Sequence, residues 1–112
     1  MEYRDLGRTG IRVSRLCFGS LTLSPLQANL SVKEGAGLID RAMERGVNFL
    51  DTAELYDNYE YIREAMKGKP RDRLILATKT YAYTGEMAKE SLKKALNETG
   101  LDYIDIFMLH EQ

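Results

Sequence analysis

The spacing of apolar residues changes its period repeatedly along this chain, and each change marks an element. Behind Ser31, the positions Val32, Ala36, Ile39 and Met43 recur at helical spacing as far as Gly46. Ser31-Val32-Lys33-Glu34 has the capping-box pattern that satisfies the free amides of a first turn. Val47-Asn48-Phe49-Leu50 is too short for a helix and ends at Asp51, so it predicts a strand. Tyr59 to Met66 predicts a short helix with Ile62, Ala65 and Met66 on one face, closed by Gly68 and Pro70. Leu74-Ile75-Leu76-Ala77 is a continuous apolar run, which suits a strand buried on both faces. Thr84 caps a third helix whose Ala88, Ser91, Leu92, Ala95 and Thr99 form an inward stripe up to Gly100, and Tyr103 to Leu109 is a β-prone run. Ahead of these, Tyr3 to Leu6 and Ile11 to Val13 flank Gly7-Arg8-Thr9-Gly10 as a hairpin, and Leu16-Cys17-Phe18 is a short strand stopping at Gly19.

The order is a hairpin followed by β, α, β, α, β, α, β. Strands alternating with helices of this length predict parallel βαβ units with right-handed crossovers, hence an α/β fold. A parallel sheet of this kind is either an open doubly wound sheet or a segment of a (β/α)8 barrel. The open nucleotide-binding sheet carries a glycine fingerprint directly after its first strand, and here only Gly19 follows that strand. Gly35 and Gly37 fall inside a helical pattern, where close helix packing explains them better than a phosphate cradle. The barrel segment is therefore preferred.

Composition narrows the function classes. The 112 residues are 44% hydrophobic and 29% charged, with 16 Lys and Arg against 17 Asp and Glu for a formal charge of -1. Nothing in that balance forms a polybasic nucleic-acid arm. No apolar run approaches the ~20 residues of a membrane span, and the opening residues are not those of a signal peptide, so a cytoplasmic location is expected. Cys17 and His110 are the only residues of their kinds, which excludes a disulfide scaffold and leaves no metal cluster to expect.

The informative residues stand where strands end. Phe49-Leu50 leads into Asp51, with Tyr56 five residues on; the third parallel strand leads into Lys79; the last leads into His110. In barrels the chemistry sits at the carboxyl ends of the strands, and neighbouring strands ~4.8 Å apart let such groups converge. A free phenol titrates near ~10, a nearby ammonium favours its ionised form, and a carboxylate holds that ammonium charged and oriented. Tyr56 tuned by Lys79, itself held by Asp51, makes a general acid, and His110 can orient a substrate oxygen. No side chain supplies a nucleophile, because Cys17 is read as a packing residue inside an apolar strand. An external hydride donor such as a nicotinamide completes the set. Two other readings stay open: a barrel enzyme using Lys79 as a Schiff-base nucleophile, and a non-catalytic binding or assembly piece.

These residues also resemble a family. Tyr3 to Gly10 with Val13-Ser14 and Phe18-Gly19 resembles the opening of aldo-keto reductases. Asn48 to Ala53 with Tyr56 and Glu60 looks like their Asp-Thr-Ala signature, Arg71-Asp72-Arg73 before Leu76 to Lys79 like their lysine strand, and Leu101 to Asp105 before Leu109-His110 like their histidine strand. The resemblance implies reduction of small aldehydes or ketones with NADPH, or NADH, by a hairpin-capped TIM barrel. It implies catalytic roles for Asp51, Tyr56, Lys79 and His110, and a nicotinamide border formed by Gly19, Ser20, Leu21 and Asp51. Asp57 and Tyr59 depart from the pattern, standing where a glycine and a small polar residue are usual. Barrels of this type run to ~250 residues, so the chain is expected to be the first half, a single domain 1–112 with the hairpin at 1–15 and βα units over 16–112. Such a half should expose strand residues including Phe49, Leu76, Ile106 and Met108, self-associate, and have little or no activity alone.

Overall fold

The computed structural model describes residues 1–111. A two-stranded antiparallel hairpin, β1 (Tyr3–Asp5) and β2 (Arg12–Ser14), precedes a four-stranded sheet. Its turn runs through Gly7 and Gly10, both at positive φ. The sheet is β3 (Cys17–Gly19), β4 (Phe49–Asp51), β5 (Ile75–Thr80) and β6 (Ile106–Leu109), in that order and parallel at every pairing. Helices α1 (Val32–Glu44), α2 (Tyr59–Met66) and α3 (Gly85–Thr99) are the crossovers.

The caps form as the side chains dictate. Ser31 Oγ accepts from the Glu34 amide and Thr84 Oγ1 from the Met87 amide, while α3 ends on Gly100 at φ 72°. Gly35 is buried, and a Cβ there would lie 3.3 Å from the Tyr61 ring, so its absence lets α1 and α2 close together. Gly37 has open space around it and serves no such purpose.

Register sorts the strand residues onto two faces. Phe18, Leu50 and Leu76 lie side by side and face the helices, packing with Ile39, Met43, Tyr59, Ile62, Ala65 and Ala95. The other face, carrying Cys17, Phe49, Ile75, Ile106 and Met108, has no layer over it among the described residues. Phe49 and Ile106 are half-buried and Met108 is exposed, as expected of a partial barrel, but Leu76 is fully buried. The sequence alone does not place Leu76 on either side, because a continuous apolar run carries no phase. Cys17 is exposed rather than packed, for its side chain points to the open face.

The largest departures from the predicted strand bounds are the end of β5 and the start of β6. β5 continues through Thr80 because hydroxyls on the helices pair with its own: Tyr59 Oη with Thr78 Oγ1 at 2.7 Å and Ser91 Oγ with Thr80 Oγ1 at 2.7 Å. β6 starts only at Ile106, since Arg71 holds the Tyr103 carbonyl and the Asp105 carboxylate at 2.7 Å each, and the same carboxylate accepts the Leu76 amide. The hairpin closes the amino-terminal end of the sheet, where Asn48 Oδ1 accepts the Ser14 amide and Asn48 Nδ2 donates to the Arg12 carbonyl. The opposite rim is left for the polar strand ends.

Candidate active site

At that rim Gly19 stands in register with Asp51 on the open face, and Lys79 follows on the next strand. The Lys79 ammonium donates three hydrogen bonds: to both oxygens of Asp51 at 2.8 Å and to the Thr52 carbonyl at 2.7 Å. All three donor positions of the ammonium are therefore committed, and the side chain has a fixed position. The Asp51 side chain is 34% exposed, so the pair remains in reach of the solvent above the open face.

Tyr56 ends a 3-10 turn, Glu54–Tyr56, that follows β4. The turn reverses through Asp57 in the left-handed region at φ 51°. Few side chains tolerate that conformation, and aspartate is among those that adopt it. The reversal sets the Tyr56 ring beside the cation, with Lys79 Nζ 5.3 Å from the ring centroid. His110 extends β6 by one rung, its amide donating to the Thr80 carbonyl at 2.9 Å. Its ring meets Tyr56 edge-on at 6.1 Å between centroids and is stacked by Tyr81 at 4.4 Å and 15°. The four side chains singled out at the strand ends thus occupy one rim.

The residues expected to border a nicotinamide divide. A Cβ on Gly19 would meet nothing within 4 Å, so the surface beside Asp51 is bare and a flat ring could lie against the strand. Ser20 is 1% exposed and turned inward, its amide and hydroxyl both donating to the Asp51 carbonyl. Its side chain shapes the loop instead of facing outward. Leu21 begins a 3-10 turn and is half-buried. On the open face, partial burial and then the Asp51 carboxylate push the Cys17 thiol above its ordinary range, with Lys79 opposing. Among the described residues no group of three or more His, Cys, Asp and Glu could hold a metal ion.

Residues 15–112 match the aldo/keto reductase family. The chain belongs to that family. It is 32% identical to a probable voltage-gated potassium channel subunit beta of rice (Oryza sativa subsp. japonica) over 98% of its own length and 37% of that protein's. It is 30% identical to L-galactose dehydrogenase of Arabidopsis thaliana over 99% of its length and 38% of the relative's. Among solved structures, the holo form of an aldo-keto reductase from Bacillus halodurans superposes with a TM-score of 0.84 at 32% identity, covering 98% of this chain and 40% of that one. The chain thus spans about two fifths of the length of the relatives it matches, and its four parallel strands correspond to part of a TIM barrel.

A groove of about 1140 Å³ lies behind this rim between the Glu54–Asp57 segment and α3, and none of the four rim residues lines it. Its lining mixes Glu86 and Glu90 with Lys89 and Lys93, which favours no single class of ligand. Tyr81 and Asn58 are the rim residues that strand-end reasoning passed over. The aromatic Tyr81 two residues beyond Lys79 carried a weak signal. Asn58 carried none, since an asparagine before a helix reads as a cap.

Proposed function

We propose that the chain contributes the proton-transfer half of an NADPH-dependent carbonyl reductase, with NADH as an alternative donor. The carrying observation is the Lys79 ammonium, bound on three sides and lying beside the Tyr56 ring. In this reading Tyr56 donates its phenolic proton to the oxygen of a small aldehyde or ketone. Lys79 stabilises the negative charge that develops on the phenol oxygen, and Asp51 fixes Lys79. His110, clamped between Tyr56 and Tyr81, orients the carbonyl oxygen. A reduced nicotinamide, when bound, supplies the hydride to the carbonyl carbon; Gly19, Leu21 and Asp51 would border it, with Ser20 setting the loop. A Schiff-base role for Lys79 is disfavoured, because its Nζ is enclosed by three oxygen acceptors that it would have to leave before attacking a carbonyl carbon.

The open face of the sheet, with Met108 exposed on its last strand, leads us to include self-association of the isolated chain and low activity of that form. A single domain over 1–112, with the hairpin at 1–15 and the βα units over 16–112, and a cytoplasmic location belong to the same reading. No described helix is long and apolar enough to cross a membrane.

The test is Tyr56→Phe in a barrel carrying this chain as its first half, assayed by NADPH oxidation with an aldehyde. Turnover falls ~10²–10⁴-fold, the usual worth of a general acid, while cofactor binding by fluorescence titration persists. A phenylalanine variant with near-normal turnover overturns the assignment. Sedimentation of the isolated chain at micromolar concentration checks the association.

A further inference from the structure

Asn58 opens α2 at the position where an asparagine normally accepts a backbone amide of the first turn, yet its side chain makes no cap bond. It is 2% exposed, and its amide is used elsewhere. Oδ1 accepts from Thr52 Oγ1 at 2.6 Å, while Nδ2 donates to the Ser20 carbonyl at 2.9 Å and to Ser20 Oγ at 3.0 Å. Both partners lead directly to the rim. The Thr52 carbonyl is the third acceptor of the Lys79 ammonium, and Ser20 donates twice to the Asp51 carbonyl. Asn58 itself lies two residues past Tyr56, across the left-handed turn at Asp57.

We propose that Asn58 is a positioning residue: one buried amide that locks the Ser20 loop, the Asp51–Thr52 strand end and the Tyr56 turn into a single geometry. It does not touch the reacting atoms. It acts on them through Thr52 and Ser20, holding the cation of Lys79 at a fixed place relative to Tyr56 and to the loop beside Gly19. A buried amide satisfied at both ends is suited to this, since any shift of one segment leaves a buried donor or acceptor without its partner. This inference rests on the reading of Tyr56 as the acid.

The test uses the whole chain and two variants. Asn58→Ala removes both connections, and Thr52→Val removes only the hydroxyl at nearly constant shape. The readout is the rate at which N-acetoxysuccinimide labels each lysine, mapped by mass spectrometry, on samples whose cooperative melting has been checked. Lys69 is the internal control, because it is similarly enclosed but held by Asp40 on the far side of α2. Thr52→Val removes one of these hydrogen bonds and Asn58→Ala all three, worth roughly threefold to tenfold in an opening equilibrium. Lys79 labelling therefore rises about tenfold in Asn58→Ala and about threefold in Thr52→Val, with Lys69 unchanged. In the reductase assay the same variants lower kcat in that proportion and leave the KM for the carbonyl substrate alone.

Equal gains at Lys79 and Lys69 mean that Asn58 supports the fold in general and overturn the proposal, as does a folded variant with no gain at Lys79. If Asn58→Ala does not fold, Thr52→Val decides alone by the same criterion. A wild-type barrel without NADPH-linked turnover counts against the reductase reading, whereas the lysine labelling continues to judge the strut separately.

Discussion

Along β5 the side chains alternate between two environments that do different work. Leu76, Thr78 and Thr80 pass beneath the helices at 0%, 0% and 1% exposure, and each meets a partner there. On the other side Ile75 and Lys79 look toward the open face, half-buried, with Lys79 reaching across to β4. The same division runs through β4, where Leu50 is in the core and Asp51 at the rim. Adjacent residues one peptide apart thus serve stability and chemistry separately. Substitutions on one face should be readable without disturbing the other.

The largest test of that division is Leu76→Ala against Ile106→Ala. Leu76 is fully buried in a cluster from three helices, so its truncation should cost ~2–5 kcal/mol in urea unfolding. Ile106 is half-buried on the open face and should cost well under half of that. Equal losses would mean that the open face is covered in solution, and sedimentation of the two variants would then show by what.

A second test makes the same tyrosine-to-phenylalanine change on each face. Tyr59 is 2% exposed, and burial is the main cause that pushes its phenol up to about 12, the Thr78 hydroxyl opposing in part. Tyr59→Phe should cost ~1–2 kcal/mol by stranding that hydroxyl. A phenol whose folded value lies above the unfolded ~10 keeps its full contribution below that pH. Native stability should accordingly decline as pH rises from ~10 toward about 12, and the variant should lose this part of the slope in denaturant titrations across that window. Tyr56→Phe, on the half-exposed rim, should leave the unfolding midpoint at neutral pH unchanged.

The smallest effect is expected at the turn joining the two faces. Asp57 holds φ 51° without a glycine's freedom, so Asp57→Gly should change stability by no more than about 1 kcal/mol, in the stabilising direction. Thermal melting checks the sign. A clear loss would show that the aspartate side chain supports the turn in a way its backbone angle does not reveal.

Much of this molecule is set by short-range physics and was legible before any fold was known. The serine and threonine caps at Ser31 and Thr84, the bounds of α2 at Tyr59 and Met66, the glycine stop at Gly100 and the order of strands and helices all follow from interactions within a turn or two of chain. The polar residues at strand ends were visible for the same reason, since an apolar run that stops at Asp51, near Lys79 or at His110 announces its own boundary. What tertiary structure alone decided was which side each strand residue faces and which distant groups meet. A continuous run such as Leu74 to Ala77 carries no alternation, so nothing local separates Leu76 from its neighbours; only the helices laid over one side do that. The inward turn of Ser20, the exposure of Cys17 and the diversion of Asn58 from its helix to a partner 38 residues away depend on contacts that exist only once the parallel register is formed. Hydrogen bonds of that separation leave no periodic trace in a sequence, because their partners are brought together by the packing of whole elements.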